Sequence, residues 1–219
     1  MAPGRRQVLV VRGGWEGHQP RETTNLFMSF LRENGFRILV EESLEVYEDE
    51  KLLAQTDLIV QCWTLGDITR AESEGLAAAV RGGTGFAGWH GGILDAFPGE
   101  PSYRLLVGGQ AVVDMPGPDR QRVRLSGEHP DHPVIAGLRD FDVPTPPYWV
   151  HADPLNDVLA TVTFEADEAR ERPVAIPAVW TRRWGRGRVF VSTIGHGLDD
   201  FAVPEVRAIT ERGLLWGSR

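Results

Sequence analysis

An α/β fold built on a parallel sheet follows from three features of the 219-residue chain. Short apolar runs alternate with amphipathic stretches through the first half, the pattern of strands joined by crossover helices. Glycines punctuate the places where strands and helices would end. One glycine cluster, Gly88-Trp-His-Gly-Gly92, encloses a reactive side chain, as a sharp strand-to-helix elbow requires. A chain of this length suits one large domain and leaves little room for two, so residues 1–219 are read as one.

Each element has its own signal. Gln7–Val11 is an apolar run and the first strand. Thr23, Leu26, Phe27, Phe30 and Leu31 recur at helical spacing, which predicts a helix over about residues 21–34. Asn34-Gly35 closes that helix as a left-handed cap. Phe36–Val40 is the second strand and Thr56–Gln61 the third, the latter entering a loop with Cys62, Trp63 and Gly66. Thr69-Arg-Ala-Glu72 has the form of a capping box, and Leu76, Ala79 and Val80 give the helix behind it an apolar face. Gly82-Gly83 ends it, and Thr84–Gly88 runs as a fourth strand into the elbow. Residues 110–150, rich in Pro and Gly, read as antiparallel or edge strands with long loops. Val158–Thr163, Ala175–Trp180 and Arg188–Thr193 are further strands, with a turn at Trp184–Gly187. Val203, Val206, Ile209 and Gly213 space out a final helix.

Composition narrows the function. The net charge is −8, which argues against nucleic acid or an anionic membrane as partner. No run of about 18 apolar residues predicts a membrane span. Met1–Arg6 lacks the apolar core of a signal peptide, so a cytoplasmic location is expected. Cys62 is the only cysteine, so no internal disulfide forms. Arg182, Arg183, Arg186 and Arg188 cluster around the late turn and read as a solvated face. A P-loop and a dinucleotide-binding glycine pattern are both absent.

In open parallel sheets, ligands bind beyond the carboxyl ends of the strands. The residues just after each strand therefore form the candidate site. They are Trp15, Glu16 and His18 after the first strand, and Cys62, Trp63 and Asp67 after the third. Trp89 and His90 follow the fourth, and His196, Asp199 and Asp200 follow Arg188–Thr193. The middle region adds Tyr148, Trp149, His151 and Asp153. Histidines after three separate strands suit proton transfer or metal ligation, so His18, His90 and His196 are the candidate ligands of a divalent ion such as zinc. Neither an HExxH motif nor paired-cysteine spacing adds to that signal. Trp15, Trp63, Trp89 and Tyr148, beside the polar groups of His18, His151 and Asp153, are the expected sugar-binding set, because aromatic faces stack on sugar C–H faces. His129 and His132 sit in a proline-bounded loop and read as structural.

Together these segments resemble the trehalose-utilisation (ThuA-like) family, a branch of the class I glutamine amidotransferase-like superfamily. The resemblance runs from Val8–Gly14 with His18, through Gly85–Gly92, Tyr103–Gly109, His129–Pro133 and Tyr148–Pro154, to Pro177–Val191 and Gly195-His196. It implies a flavodoxin-like three-layer sandwich with a mostly parallel central sheet. Where the amidotransferases carry the elbow cysteine, this chain has His90. The late-strand histidine corresponds to His196. The carboxylate expected two residues on is replaced by Leu198, with Asp199 the nearest acid. Without the elbow thiol, glutaminase activity is not expected.

The expected function is intracellular action on a small disaccharide or keto-sugar derivative. His90 and His196 would be catalytic, with Glu16 or Asp199 as the acid/base or orienting partner. A non-catalytic sugar-binding or regulatory protein and an amidase-like hydrolase using Cys62 are the alternatives. The expected partner is a small carbohydrate, with no nucleic acid or membrane, and self-association is left open.

Overall fold

A computed structural model describes residues 6–112, 120–168 and 170–219. Its strands are β1 (Arg6–Gly14), β2 (Phe36–Glu41), β3 (Leu58–Thr64), β4 (Gly85–Trp89), β5 (Gly109–Val112), β6 (Gln121–Leu125), β7 (Phe141–Val143), β8 (Trp149–Ala152), β9 (Asp157–Phe164), β10 (Val174–Trp184) and β11 (Gly187–Ser192). The helices are α1 (Pro20–Leu26), α2 (Met28–Glu33), α3 (Glu50–Gln55), α4 (Arg70–Gly82), α5 (Gly91–Leu94), α6 (Pro101–Val107), α7 (Leu198–Phe201) and α8 (Pro204–Gly217).

Nine strands form one sheet in the order β2-β1-β3-β4-β11-β10-β9-β6-β7, and β5 pairs with β8 in a separate ribbon. From β2 to β11 every pairing is parallel; from β11 to β7 every pairing is antiparallel. The sheet is therefore mixed, with the five-stranded parallel core that the α/β expectation called for and an antiparallel wing beside it. Its parallel core has the predicted strands, but the hairpin turn at Trp184–Gly187 reverses the chain and starts an antiparallel wing. The expected antiparallel or edge strands of residues 110–150 are β5 to β8; residues 113–119 of that stretch lie outside the described residues, as do Met1–Arg5 at the start of the chain.

The parallel strands are apolar because both of their faces are covered. Val8, Leu9, Val10 and Val11 in β1 are all buried, as are Leu58, Ile59 and Val60 in β3. Each such side chain contributes roughly 1.5–3 kcal/mol when taken fully out of water. Helices α1 and α2 pack on β1 and β2, and α8 packs on β4 and β11. Among the described residues, no helix is long and apolar enough to cross a membrane.

Two expectations change in detail. The helix predicted over residues 21–34 divides at Phe27, whose amide bonds to Thr24 in a tighter turn. Thr23 and Thr24 each donate a hydroxyl to the carbonyl four residues back, at 2.8 and 2.6 Å, and such back-bonding bends helices. Strand β3 continues through Cys62 and Trp63 to Thr64, so both residues belong to the strand rather than to the loop. The left-handed cap at Gly35 and the capping box at Thr69 and Glu72 stand as predicted.

Candidate functional site

Three loops at the carboxyl edge of the parallel strands meet at one point. The first follows β1, where Glu16–His18 makes one turn of 3₁₀ helix that returns His18 toward the sheet. The second is the elbow. Strand β4 ends at Trp89, α5 starts at Gly91, and His90 between them has φ 48° and ψ −143°. A non-glycine residue there carries backbone strain of about 1–3 kcal/mol. The strain is held by the His90 amide, which donates to the Ser192 carbonyl at 2.7 Å. Small neighbours are needed for the same reason. A Cβ on Gly91 would stand 2.3 Å from His18 Cε1, and one on Gly92 would stand 2.8 Å from the Cys62 backbone. The third loop follows β11 and carries His196.

The imidazoles of His18, His90 and His196 form a closed triangle. Ring centroids lie 4.7 Å apart for His18–His90, 5.0 Å for His18–His196 and 5.0 Å for His90–His196. His90 Nδ1 faces the Thr193 carbonyl at 2.8 Å. A carbonyl only accepts, so Nδ1 carries the proton and Nε2 presents a lone pair. That Nε2 lies 3.1 Å from His196 Nδ1. His18 Nδ1 is anchored by the Thr64 hydroxyl at 2.9 Å. His18 and His90 are buried, whereas His196 is exposed at the mouth.

Burial keeps the first two rings neutral. It holds His90 well below the ordinary imidazole range, and neighbouring His18 and His196 add to the shift, against the Thr193 hydrogen bond. Burial, then the proximity of His196, lowers His18 to about 4. Tyr148 stacks on His90 with centroids 4.0 Å apart and planes 13° from parallel. Burial and nearby Asp95 push the Tyr148 phenol up, and burial raises the Asp95 carboxyl in turn. Trp15, 51% exposed, meets His18 edge-on at 4.8 Å and forms part of the rim.

The structure thus brings together Trp15, His18, His90, Tyr148 and His196. Other expected site residues lie elsewhere. Trp89 is 1% exposed and packs into the core against Phe27 and Phe201, at 5.2 and 5.6 Å, so it does not line the mouth. Side chains alternate along β4, and the residue before the elbow points into the layer beneath. Trp63 is half-buried and covers Gly13, next to Thr64. His151 and Asp153 line a different cleft of about 400 Å³, with Arg104, Leu105, Gly108 and Gln110. Glu16 and Asp199 are exposed, and among the described residues neither carboxylate hydrogen-bonds a histidine.

The acid that shapes the His196 loop is Asp200. It is 1% exposed, and its Oδ2 accepts from the amides of Gly195 and His196 at 3.0 and 2.9 Å. Its Oδ1 accepts from the Thr145 hydroxyl at 2.7 Å. Gln19, in left-handed backbone, ties the first loop to the third by accepting from the Leu198 amide at 3.2 Å. Thr64, Thr193 and Gln19 are anchors that no sequence motif marked. Arg182 departs from the solvated face expected of its cluster: it is 4% exposed and pairs with Asp153 at 3.5 Å and Asn156 at 3.2 Å. His132 packs on Trp216 and accepts from the Val134 amide, in keeping with a structural role. Cys62 is buried, and burial pushes its thiol up to about 12, which removes the basis for a thiolate nucleophile.

The architecture has close counterparts among solved structures. A ThuA-like protein from Bacteroides uniformis superposes with a TM-score of 0.73 at 19% identity, covering 100% of this chain and 91% of that one. A cytoplasmic protein from Salmonella typhimurium LT2 gives 0.66 at 13% identity, covering 97% and 100%. A β-galactosidase from Bacillus circulans matches over 97% of this chain but 30% of its own, with a TM-score of 0.58 and 15% identity. At these identities the likeness establishes the fold. No curated protein sequence matches the chain. The family profile described as trehalose utilisation matches residues 7–217, spanning all three histidine loops, and so the chain belongs to the ThuA family.

Proposed function

We propose that the protein is a cytoplasmic enzyme of sugar catabolism that works on a small disaccharide or keto-sugar derivative at the three-histidine centre. One observation carries the reading. His90 Nε2 and His196 Nδ1 lie 3.1 Å apart, with the other nitrogen of His90 fixed by Thr193. A buried neutral imidazole in contact with an exposed one is suited to passing a proton between a substrate and solvent. Trp15 at the rim and Tyr148, on the face turned away from His90, would supply flat surfaces for a sugar ring, and exposed Glu16, two residues from His18, would serve as the second acid partner. The family's description as trehalose utilisation supports the substrate class. The elbow lacks a thiol, so the chemistry differs from that of glutamine hydrolysis.

The test is turnover and binding measured side by side on a panel of disaccharides and their keto derivatives. His90→Ala and His196→Ala are expected to lower kcat by about 10²–10⁴ while sugar affinity changes only a few-fold. Unchanged turnover in both variants would overturn the reading. A second reading, a sugar-binding protein without catalysis, is favoured by the lack of a carboxylate bonded to the histidines among the described residues. It predicts sugar binding by the wild type with no turnover of any panel member.

A further inference from the structure

We infer that His18, His90 and His196 bind one divalent transition-metal ion of the zinc class, with a coordination position left open toward the mouth. The inference rests on this centre being the working site and does not depend on which sugar is used. With the ion bound, His90 Nε2 and His196 Nδ1 would be its ligands, and a water at the open position would take over the proton transfer assigned to them. The candidate ligand atoms of the three residues all lie within 4.8 Å of one another. Tetrahedral zinc with bonds of about 2.0–2.1 Å sets its ligand nitrogens roughly 3.3 Å apart. His90 Nε2 and His196 Nδ1 are already 3.1 Å apart. The remaining separations, none above 4.8 Å, close onto one ion by small side-chain rotations.

The surrounding contacts strengthen the assignment. Metal-bound histidines characteristically commit their second nitrogen to a hydrogen bond, which fixes tautomer and orientation. His90 Nδ1 donates to the Thr193 carbonyl, and His18 Nδ1 meets the Thr64 hydroxyl. Both residues therefore have Nε2 free for an ion. The elbow glycine adds a steric argument. A Cβ at Gly91 would fall 2.5 Å from His18 Nδ1, so the backbone has been kept bare where His18 must approach His90. Three imidazoles, with no carboxylate bonded to them among the described residues, select a borderline-soft ion over Mg²⁺ or Ca²⁺, which prefer oxygen ligands. Three protein ligands match the arrangement of catalytic zinc sites, where the fourth position takes water or substrate. A sugar hydroxyl or carbonyl oxygen is the ligand class that such a position would receive.

The experiment is Co²⁺ titration of the chelator-stripped full chain, read by visible absorption, with zinc content per chain measured in parallel. One ion per chain and a tetrahedral Co²⁺ band are expected. His196→Gln, at an exposed position, should fold normally and weaken binding at least about 100-fold. Thr64→Val should weaken it by about 10–100-fold through loss of the His18 anchor. His151→Ala should bind as the wild type does. No band in the wild type, or an unchanged band in His196→Gln, would overturn the inference. The two proposals fail separately. Sugar turnover by stripped protein that shows no Co²⁺ band would overturn the metal and keep the carbohydrate reading. A normal band with no turnover would confirm the metal and count against catalysis.

Discussion

The central parallel strands are buried along almost their whole length while the antiparallel strands alternate buried and more exposed residues, and the two halves are built for different ends. From β2 to β11, the carboxyl edge carries His18, His90 and His196 and the three non-glycine residues with positive φ among the described residues, namely Gln19, Leu65 and His90. Each of these follows a parallel strand. From β10 to β7, no described non-glycine residue has that strain, and charged side chains there form local ion pairs, as Arg182 does with Asp153 and Arg122 with Asp142. Parallel strands all point the same way, so their loops converge on one edge. Hairpins send successive loops to opposite edges. Strain and reactive groups have gathered where the topology makes loops meet.

The contrast makes firm predictions. Trp180, fully buried in β10 with its Nε1 donating to Val107, anchors the antiparallel half. Trp180→Ala should cost about 3–5 kcal/mol in urea unfolding, while kcat of the folded protein stays within about twofold. A large fall in kcat at a temperature where the variant is folded would show that the halves are coupled. Asp200→Ala leaves the amides of Gly195 and His196 without their acceptor. It should cost about 1–3 kcal/mol and also lower kcat at least tenfold, with KM little changed. Full activity there would mean that the His196 loop needs no clamp.

Acid should act on the parallel half first. His18 titrates near 4 when folded, against the ordinary 6.5. Between these values the unfolded chain holds the proton and the folded one does not. Stability is therefore fully present above about 6.5 and is lost as pH falls toward 4. Chelator-stripped His18→Gln should show a shallower acid limb in urea midpoints measured from pH 7 to 4. An identical limb would assign the acid sensitivity elsewhere. The smallest effect is expected of His151→Ala, exposed in β8. Stability should shift by no more than about 0.5 kcal/mol, with turnover unchanged. A loss of turnover would bring the β5–β8 cleft into the site.

The sequence shows the parallel half more plainly than the rest, for a physical reason. Strands buried on both faces are continuous apolar runs, and the loops after them announce themselves with glycine. His18, His90 and His196 are legible for that reason. The same continuity hides Trp89, because a strand apolar on both faces does not show which side chains reach the mouth. Asp199 and Asp200 differ by one position in a four-residue helix, and only the fold reveals which one turns back onto the loop. Thr64 and Thr193 are invisible in sequence because an anchoring hydroxyl or carbonyl needs no distinctive spacing. The division of the first helix at Phe27 is foreshadowed by adjacent threonines, although periodicity alone reads straight through it.

His90 and His196 are 106 residues apart in sequence yet touch. Their meeting requires β4 and β11 to be in register, and adding His18 requires β1 in place as well, so the full centre needs the parallel sheet assembled. Occupancy of the centre is then a reporter of complete folding, and a bound ion or sugar resists unfolding of the whole parallel sheet by mass action rather than stiffening one loop. The small site acts as the clasp of a long chain.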